Sequence, residues 1–178
     1  MKTVLVVFLF AISAFGQDLS VATAESACGS SKIRFSVTTK VNSGQQPLPQ
    51  PDPGKALVYV VEDQKFKVMN DVTTRVGTDG TWVGANRGNS YFSFSVEPGK
   101  HHLCTDWTST FLPHDRLVSL TSFTAEPGKV YYFRARTSAS QSNKGAGAGA
   151  SLDLDLVNED EGKLLVASSA LSISQQKK

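Results

Sequence analysis

The sequence is poor in the residues that most protein chemistry uses. Among 178 residues there are three histidines, two cysteines, two methionines and two tryptophans. His101 and His102 are neighbours in an alternating segment, so a strand would send them to opposite faces and they could not share one metal. Cys28 and Cys104 stand alone, with no Cys-x-x-Cys and no paired-histidine spacing, which leaves no tetrahedral metal shell. An excess of one charge is missing too. The 18 Lys and Arg nearly cancel the 16 Asp and Glu, and no basic stretch carries interleaved aromatics, so nucleic acid finds no electrostatic footprint. Beyond the first dozen residues nothing approaches the roughly 20 apolar residues needed to span a bilayer. Nor does any long later segment keep a clean helical period.

What is present begins with an export signal. Met1-Lys2-Thr3 is a short basic start, residues 4–12 are an unbroken apolar run, and Ala14 and Gly16 place small residues at the two positions a signal peptidase reads. Cleavage before Gln17 is predicted, with residues 22–24 as a weaker second site. A lipid anchor would require a Cys close behind the apolar run and preceded by Leu. Cys28 lies too far along, and Glu25 holds the place of that Leu. The mature chain is therefore expected to be soluble, periplasmic or secreted, with no transmembrane anchor. In such a compartment Cys28 and Cys104 are predicted to pair, because a small secreted domain gains much from a staple between its first segment and a central strand. Two free buried thiols are the alternative.

The rest of the chain reads as strands and turns. Residues 33–37 alternate apolar and polar, then residues 41–54 bring Pro47, Pro49, Pro51 and Pro53 in an extended surface linker. Residues 56–61 form an apolar, β-branched run of strand length, predicted to be a central strand. Asp79-Gly80 is the two-residue signature of a type I′ hairpin. Residues 90–96 put Phe92, Phe94 and Val96 on one face and Tyr91, Ser93 and Ser95 on the other. A local repeat follows. Glu97-Pro98-Gly99-Lys100 recurs 29 residues later as Glu126-Pro127-Gly128-Lys129, each time after a strand and before another, and two β-hairpins are predicted there. Leu152, Leu154 and Leu156 alternate with Asp153 and Asp155 in a further strand. Residues 158–163 read as a polar turn and 164–166 as a last strand or short helix.

The expected organisation is a signal peptide over 1–16 and an N-terminal segment over 17–54 with one strand and a Pro/Gln-rich linker. A β-sandwich over 55–168 and a polar tail over 169–178 follow. The fold class is all-β, an antiparallel β-sandwich of about seven to nine short strands built from hairpins.

No catalytic, cofactor-binding or metal-ligating residues emerge. The glycine run over 145–149 lacks the Lys-Ser/Thr ending of a phosphate loop and precedes a strand, so it reads as a flexible loop. Asp153, Asp155 and Asp160 could supply a carboxylate pair, but alternation with leucines marks the first two as a solvated strand face. His114 sits beside Asp115 in a polar loop, and the serines lack an elbow motif. Trp82, Tyr91 and Trp107 could form a sugar- or peptide-binding platform if exposed together, although such residues more often fill a core.

The segments 76–84, 90–94 and 97–101, with 54–60, 125–132 and 157–162, resemble the domain of unknown function 2846 family of bacterial exported proteins and lipoproteins. The resemblance implies a largely antiparallel β-domain of bacterial source and carries over no catalytic residue. The reading that follows is a non-enzymatic, exported binding or structural accessory domain without a cofactor, whose partner is an envelope protein or glycan. A carbohydrate- or peptide-binding module is the second expectation, and a cryptic hydrolase around His114 or His102 the third.

Overall fold

The computed structural model describes residues 26, 28–41, 48–64, 72–108, 117–140 and 149–177. The predicted signal, Pro47, His114 with Asp115, and Gly145 and Gly147 lie outside them. Among the described residues the elements run β1 (Phe35–Lys40), β2 (Ala56–Glu62), β3 (Thr73–Thr78), β4 (Thr81–Arg87), β5 (Ser90–Val96), β6 (Gly99–Thr108), β7 (Leu117–Ala125), β8 (Val130–Ser140), β9 (Gly149–Val157), α1 (Glu159–Ala167) and β10 (Ala170–Gln176). They build a sandwich of a six-stranded sheet, β1-β10-β5-β2-β8-β9, and a four-stranded sheet, β4-β3-β6-β7. The all-β sandwich is as expected, with ten strands rather than seven to nine.

Period-two alternation decides which side chains meet. Along β2, Ala56, Val58 and Val60 enter the inter-sheet core with Val76, Phe92, Leu103, Phe123 and Phe133. Leu57, Tyr59 and Val61 point the other way, against Tyr91, Tyr132 and Val166. Both faces of β2 are thus buried, which is why its sequence reads as a continuous apolar run. Part of the expected linker belongs to this outer layer. Leu48 packs against it, and Tyr59 Oη donates to the Pro49 carbonyl at 3.0 Å.

The repeated Glu-Pro-Gly-Lys segments are not hairpins. β5 lies in the six-stranded sheet and β6 in the four-stranded one, while β7 lies in the four-stranded sheet and β8 in the six-stranded one. Each copy is a corner that carries the chain from one sheet to the other. Pro98 and Pro127 cannot donate a ladder hydrogen bond, and Gly99 and Gly128 adopt positive φ (134° and 74°), so each segment ends one strand's pairing and redirects the chain. Both corners sit at one end of the sandwich, since Gly99 pairs with Ala125. Two corners at the same end return β8 in the direction of β2, and these two strands pair in parallel. Asp79-Gly80, by contrast, is the expected hairpin between β3 and β4, with positive φ at both residues (51° and 80°).

The C-terminal region corrects two expectations. Residues 158–163 are the start of α1 rather than a polar turn. Asn158 caps the helix, its Oδ1 accepting from Glu161 N at 2.9 Å, with Glu159, Asp160 and Glu161 in the first turn. The helix crosses the outer face of the six-stranded sheet, so that β10 re-enters parallel to β5. The expected polar tail is therefore mostly β10, held between β1 and β5. Its serines join the sheets: Ser172 Oγ donates to Ala85 O at 2.7 Å, and Ala85 N donates to Ser174 Oγ at 3.1 Å. The sandwich thus includes β1 and β10 and outruns the expected 55–168 boundary at both ends.

Gly162 lets α1 dock. A Cβ there would overlap the Tyr132 ring, which itself stacks on Tyr59 with centroids 5.2 Å apart. In an unconstrained helix Gly-to-Ala gains about 1 kcal/mol. Here the overlap costs about 3 kcal/mol by analogy with overpacked cores, and Gly162→Ala is expected to lower unfolding stability by roughly 2 kcal/mol. Urea denaturation checks this, and a stabilised variant would show that the helix does not dock as described.

Candidate functional site

The inter-sheet space changes character along its length. Near the corners it is apolar. At the opposite end the inward positions are Glu62 on β2, Thr74 on β3, Asn86 on β4, Thr105 and Trp107 on β6 and Thr137 on β8, with Gln64 just beyond β2. Register brings them together, because Thr74 pairs with both Asn86 and Trp107. Glu62 is 1% exposed. Its Oε1 accepts from Thr74 Oγ1 at 2.6 Å and from Gln64 Nε2 at 2.7 Å. Asn86 Nδ2 donates to the Val60 carbonyl at 3.0 Å. Glu62 Oε2, Gln64 Oε1, Asn86 Oδ1, Trp107 Nε1 and the Thr105 and Thr137 hydroxyls are buried without a hydrogen-bond partner among the described residues. Burial pushes the Glu62 carboxyl up to about 8, against the two hydrogen bonds that favour its ionised form. At neutral pH it is mostly a neutral acid inside the fold.

A second constellation lies on the outer face of the four-stranded sheet. Cys28 and Cys104 form a disulfide with Cα atoms 5.4 Å apart. It ties the segment before β1 to β6, an interior strand, as expected. The segment lies close because Gly77 has no Cβ; one there would overlap the Cys28 backbone. Arg75 donates to the carbonyls of Ser31 and Ile33 and pairs with Asp106 at 2.5 Å. Trp82 lies against the Arg75 guanidinium, 4.3 Å from the ring centroid, and donates to Ser30 O at 2.8 Å. Every part of this arrangement grips the N-terminal segment.

The aromatic platform does not form. Trp82 packs beside the disulfide, Tyr91 under α1, and Trp107 between the sheets with Val72 and Leu152. All three are buried and share no surface, because their strand positions alternate onto different faces. Asp153 and Asp155 occupy the exposed face of β9, where Asp155 meets Arg134 at 3.7 Å. Asp160 is exposed in the first turn of α1. His102 is exposed and joins the hairpin through its backbone N–H, which donates to Asp79 Oδ1 at 2.9 Å.

His101 and Asp79 do make an acid–histidine pair, Nδ1 to Oδ2 at 2.6 Å. The other ring nitrogen, however, meets the Glu97 carbonyl at 2.7 Å. Burial lowers the His101 pKa, yet the Asp79 carboxylate and the Glu97 carbonyl outweigh it and hold the ring above its ordinary value. Facing an acceptor at each nitrogen, His101 is arranged as a cation that locks the hairpin to the corner, not as a base directed at a nucleophile.

Sequence reasoning missed the polar end because its members lie on different strands. Only Glu62, an acid ending an otherwise apolar run, marks it in the sequence. Among the described residues no group of three or more His, Cys, Asp or Glu is placed to hold a metal, and no helix is long and apolar enough to cross a membrane. No family model, curated protein or solved structure significantly matches the chain.

Proposed function

We propose that this chain is an exported, non-enzymatic binding or structural accessory domain of the bacterial cell envelope. The buried Cys28–Cys104 disulfide carries the reading, since such bonds form and persist in oxidising compartments. The surrounding latch supports it. Arg75, Trp82 and Gly77 converge on the segment that carries Cys28, so the fold is organised around the oxidised pair. The signal-like start of the sequence and the motifs resembling bacterial exported proteins and lipoproteins agree with that address. The partner is an envelope protein or glycan.

Crosslinking in intact cells, combined with thiol alkylation before lysis, tests both halves. The expected result is an oxidised Cys28–Cys104 pair in the extracytoplasmic fraction and a reproducible crosslinked adduct. Free thiols in cytosol, or a consistently monomeric protein without partners, would defeat the proposal.

A further inference from the structure

The polar end of the sandwich holds unpartnered oxygens of Glu62, Gln64 and Asn86, beside the unpartnered Trp107 indole N–H and the Thr105 and Thr137 hydroxyls, among the described residues. Glu62 Oε1 is already used by Thr74 and Gln64. The bond from Asn86 Nδ2 to the Val60 carbonyl fixes Asn86 Oδ1 as an acceptor, and the bond from Gln64 Nε2 to Glu62 does the same for Gln64 Oε1. Glu62 Oε2, Gln64 Oε1 and Asn86 Oδ1 then remain buried without a partner among the described residues. Gln64 Oε1 and Asn86 Oδ1 are acceptors as they stand, and Glu62 Oε2 becomes one when the carboxyl ionises; buried acceptors are rare and costly unless something donates to them. Among the described residues no cation reaches this face. On the neighbouring β8, Arg134 pairs with Glu161 and Arg136 with Asp63, both from the other side of the sheet. Arg75 on β3 likewise faces away, toward Asp106.

Beside these oxygens stand Val72, Trp107 and Leu152, a buried apolar wall with an indole in it. One carboxyl with two amide oxygens suits a group with one positive charge and several N–H donors. An aromatic and aliphatic wall suits a short hydrocarbon chain and favours a cation. Calcium fits less well, because it takes six or more oxygens and such sites draw on several carboxylates, whereas this one has a single carboxyl.

We propose that the polar end of the inter-sheet space binds a small primary alkylammonium, with the ammonium on Glu62, Gln64 and Asn86 and the alkyl chain along Trp107, Val72 and Leu152. On binding, the Glu62 carboxylic acid becomes a carboxylate paired with the ammonium, and its proton passes to the solvent. This site does not depend on the chain being exported, and its failure would leave that reading standing.

n-Butylammonium chloride titrated into the intact protein at pH 7 tests the site. Calorimetry in two buffers of different ionisation heat should show saturable binding with release of about one proton per ligand. The Trp107 Nε1–H resonance, distinguished from Trp82 by a Trp82→Phe variant, should move in step. Glu62→Gln should weaken binding by roughly tenfold or more. n-Butanol, sodium chloride and calcium chloride should leave both signals unchanged. A flat butylammonium titration, an equal response to butanol, binding without proton release, or preferential binding of calcium would each overturn the proposal. These arms use the unmodified chain and decide the matter even if Glu62→Gln does not fold.

Discussion

Removing the Cys28–Cys104 disulfide is expected to lower unfolding stability by about 4 to 5 kcal/mol. The bond closes a loop of 76 residues, and the magnitude follows from the chain entropy that such a loop withholds from the unfolded state. Domains of this size are stable by about 5 to 15 kcal/mol in total, so the loss would bring the chain close to unfolding. The structure adds a local consequence. Without the bond, the segment over 28–33 is held mainly by Arg75 and by the Trp82 indole on Ser30. Its amides should exchange with solvent well before those of β2, which is buried on both faces. Urea denaturation and hydrogen exchange of the Cys28→Ala, Cys104→Ala double variant measure both effects. An unchanged midpoint, or exchange confined to other segments, would show that the latch contributes nothing to the fold.

Glu62 gives the second large effect, and it depends on pH. Its carboxyl is raised to about 8 in the fold from an ordinary value of 4.5. The folded state therefore keeps a proton that the unfolded chain releases between these values. The favourable contribution is complete below about 4.5, is lost progressively as pH rises to about 8, and is constant beyond that. The full span is on the order of 5 kcal/mol for a group this buried. Glu62→Gln keeps a neutral group of the same shape and removes the titration. Its stability should match that of the unaltered protein near pH 4, below the unfolded value of 4.5, and exceed it by several kcal/mol at pH 9, on the order of the full span above. Parallel stability–pH curves for the two proteins would show that Glu62 ionises freely inside the fold. Comparing the two cancels the other carboxylates, which titrate equally in both.

The chain's most local signals carried the most reliable information. Asp79-Gly80 specifies a hairpin because type I′ geometry needs positive φ at two successive residues, a requirement met within the turn itself. The apolar run over 56–61 specifies a strand buried on both faces. Asn158 with Glu161 three residues on is a helix-start pattern that the reading of residues 158–163 as a polar turn left out.

The Glu-Pro-Gly-Lys repeats show where such reasoning stops. Their residues specify that the chain turns, and they do so twice in the same way. Whether the strands on either side pair with each other or with strands of the opposite sheet depends on partners far away in sequence. β2 takes β5 and β8, while β3 and β7 take β6. β10 escaped notice for the same reason: its inward serines look like a solvated tail until β4 is present to accept and donate across the gap. The three aromatics were visible as residue types, but their faces depended on register.

By itself, then, the sequence determined the β class and the positions of most turns, and favoured without deciding a bond between its two cysteines, because these follow from local backbone preference and residue type. The tertiary structure alone decided which strands share a sheet, that the repeats are corners, and that Glu62, Gln64, Asn86 and Trp107 converge at one buried end. Those outcomes rest on contacts between residues far apart in the chain, and no local pattern encodes such pairings.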